Sequence, residues 1–406
     1  MPPPYRAAGI ELSVVMPCLN EAETIETCIR KAQGYLTRSG VRGEIVIGDN
    51  GSTDGSQEIA SRCGARVINV PLRGYGAALH AATQAARGRY CIMADSDDSY
   101  DFSNLDPFVQ QLRNGSDVVI GNRFAGEIKP GAMPWKNRYI GNPILSAIGK
   151  ILFRAPVGDF HSGIRGYTKE AFQRMDLRTT GMEFASEMVI KATLLKMTIT
   201  EVPCVLAPDG RSHKSHLRPF RDGWRHLRFM LLFSPNWLFL YPGVIAVLFG
   251  LIVGGLLTRE SIMFGHLRLG IDTLIYCGVL IVGGFQAVLF SVLSRAYAVQ
   301  EGLYPRALSE TSRIRKPPLE VGLVAGVVVF LAGLIAAVFA VFSWRQHGFG
   351  ELVPDHIARL VIPSSVAMSL GIEIVLSSFF MSTLELNVRP HASVAVEEQT
   401  AAAAAV

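Results

Sequence analysis

Four stretches of about 20 apolar residues constrain this chain more than any other feature, because only a helix of that length satisfies its own backbone across about 30 Å of hydrocarbon. Leu238–Leu257, Leu274–Leu293 and Val321–Phe342 carry no charge, and Leu360–Met381 carries only Glu373. Four crossings return the chain to the side on which it started. With 49% hydrophobic and 18% charged residues among 406, and a mean hydropathy of +0.29, the chain is too apolar for an ordinary soluble protein. The excess lies beyond residue 235, so the first half reads as a globular domain.

Short loops rich in Lys and Arg stay in the cytoplasm. Between the second and third spans lie Arg295, Arg306, Arg313, Arg315 and Lys316, against Arg259 and Arg268 in the first loop and Arg345 and Arg359 in the last. A multi-pass protein of the cell inner membrane is expected, with its globular half in the cytosol. Met1–Gly9 lacks a basic start followed by an apolar stretch, so no secretory signal is expected. Cys18, Cys28, Cys63, Cys91, Cys204 and Cys277 show no metal-ligand spacing and read as reduced core residues. The net charge of +5 is modest, and no nucleic-acid partner is expected.

From residue 12 to about 206, short apolar runs alternate with helical patterns, which predicts an α/β domain with a mainly parallel sheet. The expected strands are Leu12–Met16, Ile45–Ile47, Arg66–Val70, Tyr90–Ala94 and Val118–Ile120; the expected helices are Glu21–Arg38, Asp54–Cys63, Gly76–Arg87 and Leu105–Arg113. Three strand-to-helix junctions carry polar groups that such a sheet directs toward one crevice. They are Pro17-Cys18-Leu19-Asn20-Glu21, Asp49-Asn50-Gly51-Ser52-Thr53-Asp54-Gly55 and Asp95-Ser96-Asp97-Asp98. Two acids at i and i+2 can grip one hard cation that bridges a diphosphate, and Asp49 can accept hydrogen bonds from a base or ribose. The plainer reading of the middle junction is a helix cap and a turn. Arg73-Gly74-Tyr75-Gly76 suggests a dinucleotide turn but lacks the third glycine. The glycines then serve a tight turn, with Arg73 toward the donor's phosphates.

These junctions resemble the nucleotide-sugar motifs of family 2 glycosyltransferases with the GT-A fold. Within that family the chain is most similar to the dolichol-phosphate mannose and polyprenyl-phosphate hexose synthases. Gly121-Asn122-Arg123-Phe124, Asp159-Phe160-His161-Ser162-Gly163-Ile164-Arg165 and Gly181-Met182-Glu183-Phe184 match further motifs of that branch. The resemblance, over roughly residues 12–215, implies a Rossmann-like nucleotide-sugar domain over 1–210; the residue patterns add a basic interfacial segment over 211–235, an all-α four-helix transmembrane domain over 236–385 and a disordered tail over 386–406. It implies a UDP- or GDP-hexose donor, a polyprenyl phosphate acceptor, a divalent Mg²⁺ or Mn²⁺ and possible homo-oligomers. Pro17, Asn20, Glu21 and Asp49 would contact the nucleotide, and Asp95 and Asp97 the metal. Where relatives place a Gln two residues after the second acid, this chain has Ser99, a candidate third ligand, with Asp98 as a substitute.

On the acceptor side, Arg123, Arg138 and Arg211 fall where the resemblance puts arginines that clamp the acceptor phosphate, with Lys214 beside them. Asp159 is expected to orient the sugar or act as an optional base, and Glu187 to bind sugar hydroxyls or face solvent. Pro219 can open a helix whose Phe220, Trp224, Leu227 and Leu231 form one stripe flanked by Arg221, Arg225 and Arg228. Such a helix either lies in the membrane interface or merely sets topology. Tyr139–Phe153, with Ile140, Ile144, Ile148 and Leu152 on one face, is a membrane-facing or core helix. An anionic phosphate acceptor needs positioning and no strong base, whereas a hydroxyl acceptor needs a carboxylate to take its proton. The competing expectations are transfer to a lipid or glycan hydroxyl and a noncatalytic membrane subunit. Processive synthesis is disfavoured, because Trp224-Arg225 lacks the glutamine of a Gln-x-x-Arg-Trp motif.

Overall fold

Seven strands form one sheet: β1 (Leu12–Cys18), β2 (Gly43–Asp49), β3 (Arg66–Asn69), β4 (Tyr90–Met93), β5 (Val118–Ile128), β6 (Arg165–Thr168) and β7 (Ile199–Leu206). Their order is β3-β2-β1-β4-β6-β5-β7. The run β3-β2-β1-β4 is parallel, as is the β5–β7 pair, while β6 runs antiparallel to both β4 and β5. The computed structural model describes residues 9–211, 219–300, 304, 318–346 and 354–384. By its contacts the chain divides into two units, Met1–Trp237 with Glu301–Arg313, and Leu238–Gln300 with Ile314–Val406.

The helices of the first unit are α1 (Ile25–Ser39), α2 (Ser56–Arg62), α3 (Tyr75–Ala85), α4 (Asp106–Arg113), α5 (Asn142–Phe153), α6 (Lys169–Met175), α7 (Phe184–Leu194) and α8 (Pro219–Leu232). Successive strand residues point to opposite faces, so each central strand feeds two cores. Val14, Met16, Ile45, Ile47 and Ile92 pack with α1, α2 and α4. Val15, Val46, Cys91, Met93, Val118 and Ile120 pack with α3, α5, α6, α7 and α8. Each such Val or Ile, buried on both sides, contributes about 1.5–3 kcal/mol relative to exposure. The mainly parallel α/β sheet is as the apolar runs predict. Helix α1, expected from Glu21, begins only at Ile25, because Glu21–Thr24 form a turn whose backbone closes on itself and on α2.

In the second unit, α9 (Tyr241–Leu257), α10 (Ile271–Gln300), α11 (Leu319–Gln346) and α12 (Pro354–Leu384) follow. Among the described residues, four helical segments are long and apolar enough to cross a membrane: Asn236–Leu257, Ile271–Gln300, Leu319–Arg345 and Ile357–Leu384. Between the first two, Ile262–Phe264 and Leu267–Leu269 pair as a short antiparallel hairpin. Helices α9 and α10 approach closely at Gly243 and Gly284, where a β-carbon on either would stand 2.7 Å from the other's carbonyl oxygen. Without a hydrophobic drive inside lipid, such small-residue contacts let backbones pack. Glu373, the acid of the fourth span, lies on α12.

Candidate functional site

Between β1 and β4 the chain reverses its direction of growth across the sheet, and ligands of open α/β sheets bind at the carboxyl ends of strands beside such a point. Two cavities open there. The larger, about 750 Å³, is lined among others by Pro17, Glu21, Arg73, Asp95, Asp97 and Arg211. The smaller, about 420 Å³, is lined by Ser99, Tyr100, Arg123, His161 and Asp209 among others. Tyr75, Asp95, Asp97 and Met182 line both, so the two cavities meet at the paired carboxylates.

Cross-bonds between the three junctions build this rim. The Ser96 hydroxyl donates to the Pro17 carbonyl at 2.6 Å, and the Thr24 hydroxyl to the Ser96 carbonyl at 2.8 Å. Ser52 Oγ accepts from Asn20 N–H at 2.9 Å, and Asp54 Oδ2 from Ala22 N–H at 2.9 Å. The middle junction does both jobs: Asp54 Oδ1 accepts from the Ser56 amide at 3.1 Å at the start of α2, as a helix cap would, while Asp54 Oδ2 and Ser52 Oγ hold the neighbouring loop. The glycine-containing turn is held the same way, with Asn50 Oδ1 accepting from Gly74 N–H at 2.6 Å. Gly74 has φ of 142°, and a β-carbon there would run into the Thr180 carbonyl. Gly74→Ala is expected to cost about 1–3 kcal/mol by forcing the turn away from the Thr180 carbonyl, and thermal melting checks this.

Asp95 receives a hydrogen bond from the Tyr75 hydroxyl. A β-carbon at Gly163 would stand 2.7 Å from its Oδ2, so only glycine leaves room for this carboxylate. Burial, followed by the neighbouring Asp97 carboxylate, holds Asp95 above the usual carboxylate range against the pull of Tyr75, Arg211 and Arg123. Asp97 Oδ1 accepts from the Ser99 amide at 3.1 Å and the Ser99 hydroxyl at 2.6 Å. Ser99 is thus a donor that fixes Asp97, and its hydroxyl oxygen keeps lone pairs that this bond does not use. Asp98 turns away, with φ of 63° and an ion pair to Lys31 at 2.7 Å, and so does not substitute for it. Arg211 spans the remaining acids: its guanidinium donates to Glu21 Oε1 at 2.9 Å and is hydrogen-bonded to Asp97 Oδ2.

In the smaller cavity Arg123 is held by Asp159. Nε to Oδ2 is 2.6 Å and Nη2 to Oδ1 is 2.8 Å, while the Arg123 amide adds a bond to Oδ2 at 3.1 Å. Both carboxylate oxygens are committed, so Asp159 positions Arg123 and is not placed as a base. The amides of Gly158 and Asp159 are fixed in turn by Glu201 Oε1, at 2.7 and 3.0 Å. Arg165 at the start of β6 is fully buried and donates to the carbonyls of Ser162, Phe160 and Ala185. Burial pushes it down to about 10. Glu187, expected to meet sugar or solvent, does neither. It is buried, pairs with Lys191 at 2.8 Å and accepts from the Arg178 and Thr179 amides, which shape the cavity wall.

Some expected residues do not line either cavity. Asn20 Oδ1 is spent on the Thr53 amide at 2.9 Å. Asp49 is fully buried, with Oδ2 accepting from Gly51, Ser52 and Gln57 and Oδ1 buried without a partner among the described residues. Arg138 stands on a π-helical turn, Asn137–Gly141, with its guanidinium 5.5 Å from the Tyr139 ring and 3.3 Å from the Ile128 carbonyl. It therefore does not join Arg123. Lys214, Arg306, Arg313, Arg315, Lys316 and the 386–406 tail lie outside the described residues.

Helix α8 contributes more than its basic flank suggests. Arg221, Arg225 and Phe229 line the larger cavity and Gly223 and His226 the smaller. Arg225 Nε donates to Glu183 Oε1 at 2.9 Å, His226 Nδ1 lies 2.9 Å from the Ser186 hydroxyl, and Met230 is fully buried in the core. Trp224 and Leu232 remain exposed. Helix α5 divides similarly: Ile148 and Leu152 pack on the core, while Ile140, in the turn before it, and Ile144 are exposed. Tyr75, Tyr100, Met182 and His161 line the site without having been singled out as candidates. Tyr75, His161 and Met182 fall inside the motifs quoted above, which is the signal that marks them.

The chain belongs to glycosyl transferase family 2: the family model matches residues 13–176, and the model for the family's C-terminal transmembrane region matches residues 292–385. It is a membrane glycosyltransferase with an α/β nucleotide-sugar domain and four apolar helices. It is 39% identical over 380 residues to the low-salt glycan biosynthesis hexosyltransferase Agl6 of Haloferax volcanii, covering 92% of this chain and 89% of Agl6. A dolichyl-phosphate hexose transferase of the same organism is 33% identical over 216 residues, 52% of this chain and 89% of the relative. The crystal structure of glucosyl-3-phosphoglycerate synthase from Mycobacterium tuberculosis with Mn²⁺ and UDP-glucose matches 56% of this chain and 80% of that one, at 25% identity and a TM-score of 0.44.

Proposed function

We propose that the protein transfers a hexose, with inversion, from a UDP- or GDP-hexose to polyprenyl phosphate at the cytosolic membrane face. The observation that carries this reading is that one pair of carboxylates, Asp95 and Asp97, lines both cavities, with arginines on either side. The larger cavity, with Arg73 at its mouth, suits the nucleoside diphosphate. The smaller, with buried Arg123, suits an acceptor phosphate. The similarity to a dolichyl-phosphate hexose transferase supports the acceptor class.

A divalent Mg²⁺ or Mn²⁺ fits the donor set. Among the described residues no three His, Cys, Asp or Glu side chains converge into a protein cage, and ions of this kind take one or two carboxylates and complete their shell from substrate phosphate and water. Burial first, and then the Asp97 carboxylate beside it, holds Asp95 above the usual carboxylate range, and a bound cation would offset both. Asp95 and Asp97 would hold the ion, which when bound offsets charge developing on the departing diphosphate. Arg123, steadied by Asp159, aims the acceptor oxygen at the anomeric carbon. A phosphate acceptor is already anionic, so no proton need be removed. A hydroxyl acceptor would need a free carboxylate in the smaller cavity. Among the described residues lining that cavity, the carboxylate besides the pair is Asp209, which lies 3.6 Å from the Arg211 Nε.

The test is incubation of the purified protein with Mg²⁺ or Mn²⁺, a panel of nucleotide sugars, and polyprenyl phosphate or diacylglycerol, followed by mass spectrometry of the lipid. A polyprenyl phosphohexose is expected. Glycosylation of diacylglycerol alone, or no product from any donor, would overturn the assignment.

A further inference from the structure

We propose that Arg211 is the site's resident counter-cation, holding the place between Glu21 and Asp97 until a divalent ion arrives with the nucleotide sugar, so that cation and guanidinium exclude one another. This rests on the metal-dependent reading above. Arg211 is 190 residues from Glu21 and 114 from Asp97, yet its guanidinium is bonded to both. The three side chains are only 9–11% exposed, so this is a desolvated contact and not a surface pairing. The backbone leading into it is fastened to the same acidic loop: Ala207 N–H donates to the Ser99 carbonyl and Gly210 N–H to the Asp97 carbonyl, each at 2.9 Å.

A guanidinium on Asp97 Oδ2 sits where an ion ligated by that carboxylate would have to be, because Oδ1 already accepts two bonds from Ser99. Two positive centres cannot share one buried oxygen, since their repulsion is weakly screened there. The free ion must therefore displace Arg211 without offering it another partner. An ion that enters on a diphosphate brings that partner with it, because phosphate oxygens match the guanidinium fork. Loading is then ordered: the metal binds poorly alone and well with the nucleotide, and Arg211 passes from carboxylates to phosphate in the same event. The donor-free protein meanwhile keeps its acids paired and stable.

Electron paramagnetic resonance titration of Mn²⁺ into the full-length protein in detergent, with no acceptor present, reads this directly. Without nucleotide, Arg211→Ala is expected to bind Mn²⁺ at least about tenfold more tightly than wild type, and Arg211→Lys, which keeps the charge, to stay near wild type. Adding UDP or GDP should close most of that gap. Mn²⁺ alone should also raise the melting temperature of Arg211→Ala more than that of wild type. Should Arg211→Ala not fold, Arg211→Gln fills similar space without the charge and carries the same expectation. If the charge-free variants bind Mn²⁺ no more tightly than wild type without nucleotide, while all bind it with nucleotide, Arg211 is not a placeholder. If no form binds Mn²⁺ even with UDP or GDP, the metal-dependent reading has failed and takes this inference with it.

Discussion

Asp97→Asn is expected to lower hexosyl transfer by about a thousandfold or more while leaving the fold nearly intact. The substitution keeps the size of the side chain and an oxygen for the Ser99 amide, so the acidic loop retains its shape. What disappears is the charge that would anchor a cation against the leaving diphosphate, and charge stabilisation of this kind is the largest single contribution to such reactions. The lost ion pair to Arg211 reduces stability by on the order of 1–3 kcal/mol. Mass spectrometry of the lipid product, alongside thermal melting, separates the two effects. Transfer within about tenfold of wild type would show that the carboxylate pair is not the reaction's charge anchor.

Much of the architecture could be read from residue order, because its causes are local or imposed by solvent. Hydrocarbon thickness demands long apolar helices, and Asn236–Leu257, Ile271–Gln300, Leu319–Arg345 and Ile357–Leu384 each contain an apolar run visible in the chain. Doubly buried strands such as Leu12–Cys18 show as apolar runs for a similar reason. Strand β6 escaped because it is four residues long and begins with an arginine that is buried among carbonyls. Its antiparallel insertion beside β4 brings the preceding loop, with His161 and Gly163, to the cavity that the acid pair lines.

The candidate site divides along the same line. Pro17, Glu21, Arg73, Asp95 and Asp97 were legible because strand ends point them into one crevice. Nothing in residue order says how each polar atom is spent. Ser99, which the resemblance made a candidate ligand, gives its hydroxyl proton to Asp97, Asn20 gives its oxygen to a neighbouring loop, and Arg138 reaches the Ile128 carbonyl at the end of β5. Long-range partners, such as Arg211 with Asp97, emerge only when the sheet is assembled.

Removing either member of the Arg123–Asp159 pair is expected to be costly in two separable ways. Their side chains are 9% and 0% exposed, so Arg123→Ala or Asp159→Ala leaves a buried charge without its partner, a loss of about 3–5 kcal/mol. Melting temperatures should fall by on the order of 10 °C. Replacing both with apolar side chains, Arg123→Met with Asp159→Leu, removes the unpaired charge and should restore most of that stability, since buried ion pairs rarely outperform well-packed apolar groups. Transfer activity should not return, because in the proposed reaction the acceptor phosphate would still lack its guanidinium. Asp159→Asn distinguishes positioning from proton removal. It keeps acceptor oxygen for Arg123 and is expected to slow transfer by about tenfold to a hundredfold with an unchanged shape of the rate–pH profile. If Asp159 instead took a proton from the acceptor, its limb of that profile would vanish in the Asn variant, and the double apolar replacement would be no less active than Asp159→Asn alone.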